Sequence, residues 1–258
     1  MAMLFDTGLR AARRDRAARM RSDRFLLERA FEDCLERIEL VPHRFQSALL
    51  VGCPDRSWPQ RLGQFAAEVD VAEPGAAFAA ATGASRIVED EWTPPQARYD
   101  LILALGTLDT VNDLPRALRL LRSAMTADAL LIGAISGGDT LPRLRRAMQA
   151  ADAVAGVASP HVHPRVEASA VAPLLEVAGF ERPVVDVDRA QVAYASLLAL
   201  VTDLRAMAAT NILVERSRLP LGRSAFRAAS ASFGAQDADR TVETFEILHF
   251  AAWTPKQH

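Results

Sequence analysis

Residues 47–56 read SALLVGCPDR, an apolar run of strand length that stops at Gly52 and passes into an irregular loop holding Pro54 and Asp55. Four further apolar runs follow at 68–71, 85–88, 101–105 and 129–135, spaced so that helices fit between them. That alternation predicts an α/β fold with a parallel sheet and crossover helices. In such sheets the loop after the first strand lies where strand order reverses, and ligands bind outside the carboxyl ends of the strands. Function is therefore to be sought at Gly52 and its neighbours.

The chain has 258 residues, half of them apolar, which is enough for a buried core. Aromatic residues make up only 6%, so Ala, Leu and Val must do most of the packing. Lys256 is the single lysine among 30 basic residues, a bias that carries no functional weight. A formal charge of −2 argues against general nucleic-acid binding, which needs a net basic face. Cys34 and Cys53 are too few for a disulfide framework or a zinc site. The start MAMLFDTGLR lacks the apolar core of a signal peptide, and no apolar run reaches membrane-spanning length. The expectation is a soluble, cytoplasmic protein.

Residues 8–40 read as one helix, closed by Pro42. Its front half carries Arg10, Arg13, Arg14, Arg16, Arg19, Arg21 and Arg24. Such a run can dock an acidic partner or nucleic acid, but a solvated helix end is the plainer reading. Helices are predicted near 59–67, 75–81 and 114–125, the last capped by Asp113 with Pro115 in its first turn. The segment Gly137, Gly138, Asp139, Thr140, Pro142 opens another helix running to about Ala151, and a helix over 168–177 stops at Gly179. A sixth strand is expected over 183–187, a helical insertion over 193–230 and a last strand over 245–253. Five parallel strands thus precede a two-strand return. The organisation expected is an N-terminal helical arm (1–42), a core (43–190), a helical insertion (191–243) and the core's last strand (244–258).

Strand, glycine, helix is the general plan of a nucleotide site. Asp70 lies 18 positions beyond Gly52, where an acid can bind ribose hydroxyls, and Glu89 and Asp90 end the third strand, where a carboxylate can meet a base's amino group. Neither a P-loop nor G-x-G-x-x-G nor G-x-S-x-G occurs. His161 and His163 in SPHVHP lack the further ligands a metal would need, so no metal site is expected. Cys53 reads as a buried thiol rather than a nucleophile.

Taken together, FDTGLRAARRDRAA (5–18), YDLILALGTLDTVNDLPRAL (99–118), GGDTLPRLR (137–145), SPHVHPRVEASAVAPLLEVAGF (159–180) and TFEILHFAAWTP (244–255) resemble the class I methyltransferase-like family, in the branch of the mitochondrial complex I assembly factor 5. The malonyl carrier-protein methyltransferases are more distant relatives. The resemblance implies a Rossmann-like seven-stranded, mostly parallel sheet with helices on both faces. It also implies S-adenosylmethionine as cofactor and a protein partner or substrate in the respiratory chain. It assigns the first motif glycine to Gly52, the ribose acid to Asp70, the adenine-side acid to Glu89 or Asp90, and a cofactor-side position at the end of the fourth strand to Leu105. Asp109 and His161 are the expected base candidates for a methyl transfer.

The chain departs from that family where the cofactor's amino-acid tail is held. Leu50 replaces an acid that would accept from the cofactor's ammonium, and Pro54 and Arg56 replace the second and third glycines. A leucine accepts no hydrogen bond, and a proline offers no amide. These changes predict weak S-adenosylmethionine binding and favour a catalytically silent binding module in respiratory-complex assembly. The alternative is an active methyltransferase of a protein or carrier.

Overall fold

The computed structural model describes residues 3–20, 22–234 and 239–256. Arg21, one of the basic run, lies outside the described residues. The chain runs α1 (Thr7–Arg19), α2 (Phe25–Glu39), β1 (Phe45–Val51), α3 (Trp58–Leu62), β2 (Ala66–Glu73), α4 (Ala76–Thr82), β3 (Ser85–Arg86) and β4 (Tyr99–Leu105). It continues through α5 (Leu114–Ala124), β5 (Met125–Ser136), α6 (Pro142–Ala155), α7 (Ala168–Val177), β6 (Glu181–Tyr194), α8 (Leu197–Ala206), α9 (Arg223–Phe233) and β7 (Thr241–Trp253). A short 3-10 turn, Leu108–Thr110, follows β4.

The seven strands form one sheet in the order β3-β2-β1-β4-β5-β7-β6. The first five are parallel, and β7 runs antiparallel between β5 and β6. Central strands are apolar on both faces because both faces are covered. Ala48 and Leu50 of β1 and Leu101, Leu103 and Leu105 of β4 pack with α2, α6, α8 and α9. Leu49, Val51, Ile102 and Ala104, one residue out of step, pack with α5 and α7. The edge strand β6 is exposed at residues on both of its faces, Val184 and Val187 among them.

The arm is two helices where one was expected. Met20 is extended (φ −82°, ψ 135°), and Arg24 folds back so that its guanidinium donates to Ala17 O at 2.8 Å and Met20 O at 3.4 Å. A cation satisfying the last carbonyls ends α1 without glycine or proline. The break turns α1 away from α2 and lays it against α4 and α8. The first crossover helix is shorter than the predicted 59–67, because the chain turns at Gly63 and Phe65 O accepts from Phe45 N. β6 and β7 are longer than predicted, since each extends along the other. Pro183 is tolerated at a register irregularity of edge strand β6.

Candidate functional site

The carboxyl ends of β1, β2, β4 and β5 open to one side, and α1 lies across them. Gly52 adopts φ +83° and donates its amide to Ala72 O at 2.9 Å. A Cβ there would stand 2.2 Å from Leu105 O, so the first loop presses directly on the end of β4. Only glycine meets both demands. Leu50 is fully buried in the core.

At the end of β2 the acid is Glu73, which has no exposed surface. It accepts from Arg14 Nε (2.5 Å) and Nη2 (2.8 Å), from Cys53 N (2.9 Å) and from Gly75 N (2.8 Å). Asp70 is placed elsewhere. It pairs across the ladder with Leu49, three residues before the strand end, and its side chain meets Tyr99 OH (2.9 Å) and Arg98 (2.6 Å) where β4 begins. Asp70 thus lies mid-strand, level with Ile102 through Leu49, three residues short of the carboxyl edge where Leu105 is buried beside the cleft.

Glu89 is also fully buried and is clamped by Arg10, Nη1 and Nη2 each at 2.7 Å. Arg10 donates further to Thr107 O (2.8 Å) and Thr110 Oγ1 (3.0 Å). Burial alone would raise the Glu89 pKa, but the Arg10 guanidinium outweighs it and holds the carboxyl below its ordinary value. Asp90 faces the other way, accepting the amides of Asn112 (3.0 Å) and Asp113 (2.9 Å). Asn112 in turn holds the start of the arm, accepting from Leu4 N and Phe5 N and donating to Phe5 O. Asp113 caps α5 through Arg116 N.

Beside these pairs a largely apolar cleft encloses about 880 Å³ of unfilled space, part of it open to solvent. Its walls come from α2, α8 and the ends of β4, β5 and β7, with Leu26, Leu27, Leu204, Met207 and Ile247 among them. Asp109 reaches it and pairs with Arg165 at 2.5 Å, the two side chains 11% and 4% exposed. His161 does not line it. Its Nε2 bonds Asp152 (2.8 Å) and Ser159 (3.2 Å) beside an adjoining hollow against α6. The histidine on the cleft is His163, whose Nε2 accepts from Ile212 N at 3.0 Å. Burial, with Arg165 acting the same way, lowers its pKa to about 4. Among the described residues no group of three His, Cys, Asp or Glu could hold a metal, and no helix is long and apolar enough to cross a membrane.

The GGDTL segment is tied to β7: Thr140 Oγ1 donates to Glu246 O at 2.9 Å and accepts from Glu246 N at 3.0 Å. Gly137 has no room for a Cβ, which would meet Glu246 Oε1 at 2.4 Å.

Reasoning from sequence missed Arg10, Arg14, Glu73, His163 and Arg165. A signal was present for three of them. Arg10, Arg14 and Ala17 fall on one face of a helix by spacing, and Glu73 is the last residue before Pro74. His163 and Arg165 carried none that separated them from His161.

A doubly wound sheet with an antiparallel seventh strand and a site at its carboxyl edge defines the class of the methyltransferases, and the comparisons agree. A methyltransferase-domain model matches residues 20–185, and the chain belongs to that family. It is 31% identical to the mitochondrial arginine-hydroxylase NDUFAF5 of Homo sapiens over 97% of this chain and 76% of that protein. It is 35% identical to the malonyl-[acyl-carrier protein] O-methyltransferase of Xylella fastidiosa over 62% of this chain and 53% of that one. Among solved structures, the YcgJ protein from Bacillus subtilis has the same fold, with a TM-score of 0.59 at 7% identity, covering 88% of this chain and all of that one.

Proposed function

We propose that this chain is a methyltransferase-family scaffold that serves as a protein-binding component of respiratory-complex assembly in the cytoplasm, with little or no affinity for S-adenosylmethionine. One observation carries the reading. The two buried acids on the adenosyl side, Glu73 and Glu89, are both consumed by arginines of the chain's own α1. Glu73 already accepts four hydrogen bonds, so ribose hydroxyls would have to displace a guanidinium or a backbone amide. At the other end of the cofactor path Leu50 offers nothing to an ammonium, and Pro54 offers no amide to a carboxylate. The residues present do not fit the cofactor.

The outer side of α1 supports a partner role. Arg13 and Arg16 stand near Arg205, with Arg216 beside Arg13; burial and then these neighbouring cations lower the pKa of both. Among the described residues the cluster's carboxylate partner is a loose one, Asp6, 3.6 Å from Arg216. Concentrated positive charge of this kind favours an acidic protein surface. The likeness to NDUFAF5 supplies the respiratory context.

Titration calorimetry with S-adenosylmethionine tests the reading: no binding is expected in the micromolar range, and micromolar affinity overturns it. A Leu50→Asp, Pro54→Gly, Arg56→Gly variant shows whether the loop alone is responsible. Affinity purification from the native cell should recover respiratory or assembly proteins. A second reading, an active methyltransferase of a protein or carrier, is favoured by the fact that both blocking arginines sit on the one short helix α1. A helix attached at an extended joint can leave as a unit. Methyl transfer to a cell extract by the purified chain would establish it.

A further inference from the structure

Away from the cleft, the end of the molecule where α6 stops and α9 starts is apolar at its surface. Residues 153–158 read AVAGVA, and every one of them is exposed, Val157 at 68%. Residues 219–222 read LPLG and are likewise exposed throughout, Leu219 at 82%. The fold brings the two strips to one side. α9 packs along α6, and the start of β7 ties the end of α9 to the beginning of α6: Glu243 accepts from the amides of Arg143 and Leu144, and Thr241 Oγ1 donates to Phe233 O. The two helices therefore run in opposite directions, which leaves the start of α9 beside the end of α6. Asn211 Nδ2 closes the link by donating to Pro160 O at 2.8 Å, and Val214 N donates to Leu4 O at 3.0 Å, which brings in the exposed Met3 and Leu4.

Exposed aliphatic strips of this kind mark a contact surface, and the charge beside them selects the partner. From Arg205 to Arg223 the chain holds four arginines, with Glu215 as its one acid. Arg205, Arg218 and Arg223 are exposed and have no carboxylate partner among the described residues. That positive field selects an anionic partner. The apolar side chains say of what kind. Protein hot spots are dominated by Trp and Tyr as well as Arg, whereas Leu and Val are under-represented there. The two strips carry Leu, Val, Ala, Pro and Gly and no aromatic residue. Projecting leucines beside arginines suit a lipid surface, where aliphatic tips enter the acyl boundary and guanidiniums stay at the headgroup phosphates. We infer that this end of the molecule rests on an anionic lipid surface, with Leu219 and Leu221 inserted and Arg218 and Arg223 at the phosphates. The inference goes beyond the function proposed above and depends neither on a protein partner nor on S-adenosylmethionine.

Vesicle flotation of the full chain tests this, comparing phosphatidylcholine alone with phosphatidylcholine carrying about one third phosphatidylglycerol. Binding to the anionic vesicles only is expected, and it should weaken as salt is raised. Arg218→Gln combined with Arg223→Gln should lower the affinity about thirtyfold, at about fivefold for each arginine near the surface. Leu219→Ser combined with Leu221→Ser leaves the charge unchanged and should lower it at least about tenfold. All four side chains are exposed, so circular dichroism should show both variants folded. No binding to anionic vesicles, equal binding to neutral ones, or full affinity in the serine variant overturns the inference. Capture by poly-L-glutamate in place of vesicles also overturns it, and assigns the surface to an acidic protein.

Discussion

Arg14→Met and Glu73→Gln perturb one buried pair from its two sides, and the structure orders their costs. Removing one partner of a buried ion pair costs about 3–5 kcal/mol, because the other charge is left without compensation. In Arg14→Met the stranded group is Glu73, which keeps the amides of Cys53 and Gly75 as donors. The methionine also keeps an apolar stem near Phe78, whose ring lies 5.6 Å from the Arg14 guanidinium carbon. The loss should fall near the lower figure, about 3 kcal/mol. In Glu73→Gln the stranded group is a buried guanidinium, with only Gly106 O at 3.1 Å still accepting from it, and one amide oxygen must serve four donors. That loss should lie near the upper figure, about 5 kcal/mol. Urea unfolding monitored by circular dichroism measures both; with a slope of about 3 kcal/mol/M the first variant shifts the midpoint by about 1 M and the second by more. If both variants stay within about 1 kcal/mol of wild type, the usual worth of an exposed pair, then α1 does not close over the strand ends in solution. The reading of the cleft would fall with it.

Acid should loosen the same contacts. Because the folded-state pKa of Glu89 is depressed, its contribution is complete above its ordinary value of 4.5 and is lost as pH falls through the folded value; Glu89→Gln should flatten that acid limb of a stability–pH curve. His163 acts at higher pH. Its folded pKa of about 4 lies below the ordinary 6.5, so the unfolded chain binds the extra proton between these values, and wild type should lose about 3 kcal/mol from pH 6.5 to 4 that His163→Gln retains. Burial raises both Cys34 and Cys53 to about 12, so iodoacetamide at pH 8 should label neither thiol until denaturant is added. Gly52→Ala should cost more than about 2 kcal/mol in urea unfolding, since it combines a left-handed backbone with overlap on Leu105 O.

The sheet was legible because its central strands cannot be anything else. The runs at Ala48–Val51 and Leu101–Leu105 are too short for buried helices and too apolar for loops, and Gly52 marks where the first must stop. Asp113 with Pro115 likewise placed the start of α5. Asp70 misled because counting along a chain cannot fix register. The distance from Gly52 suits a ribose acid, but β2 runs on to Glu73, and three residues of strand move a side chain by about 10 Å. The arginine run misled for a different reason. Charge is a property of composition, whereas burial of Arg10 and Arg14 depends on two glutamates 59 and 79 positions away that only the folded chain brings near. His161 and His163 look alike in sequence, and only the ring on which Ile212 folds reveals which one meets the cleft.

The place of β7 constrains how the molecule is made. Thr241–Trp253 is the last of these seven strands to leave the ribosome, yet it lies inside the sheet, with β5 on one side and β6 on the other. Until it emerges, β5 presents a bare edge through Leu130, Leu131 and Ile132, and β6 has no strand to pair with, since its whole ladder is to β7. At about 5–20 residues per second that interval lasts on the order of ten seconds. During it the nascent chain carries an open, aliphatic template for pairing with other chains, so lesions in β7 should show themselves as chaperone dependence during synthesis before they show as lost activity.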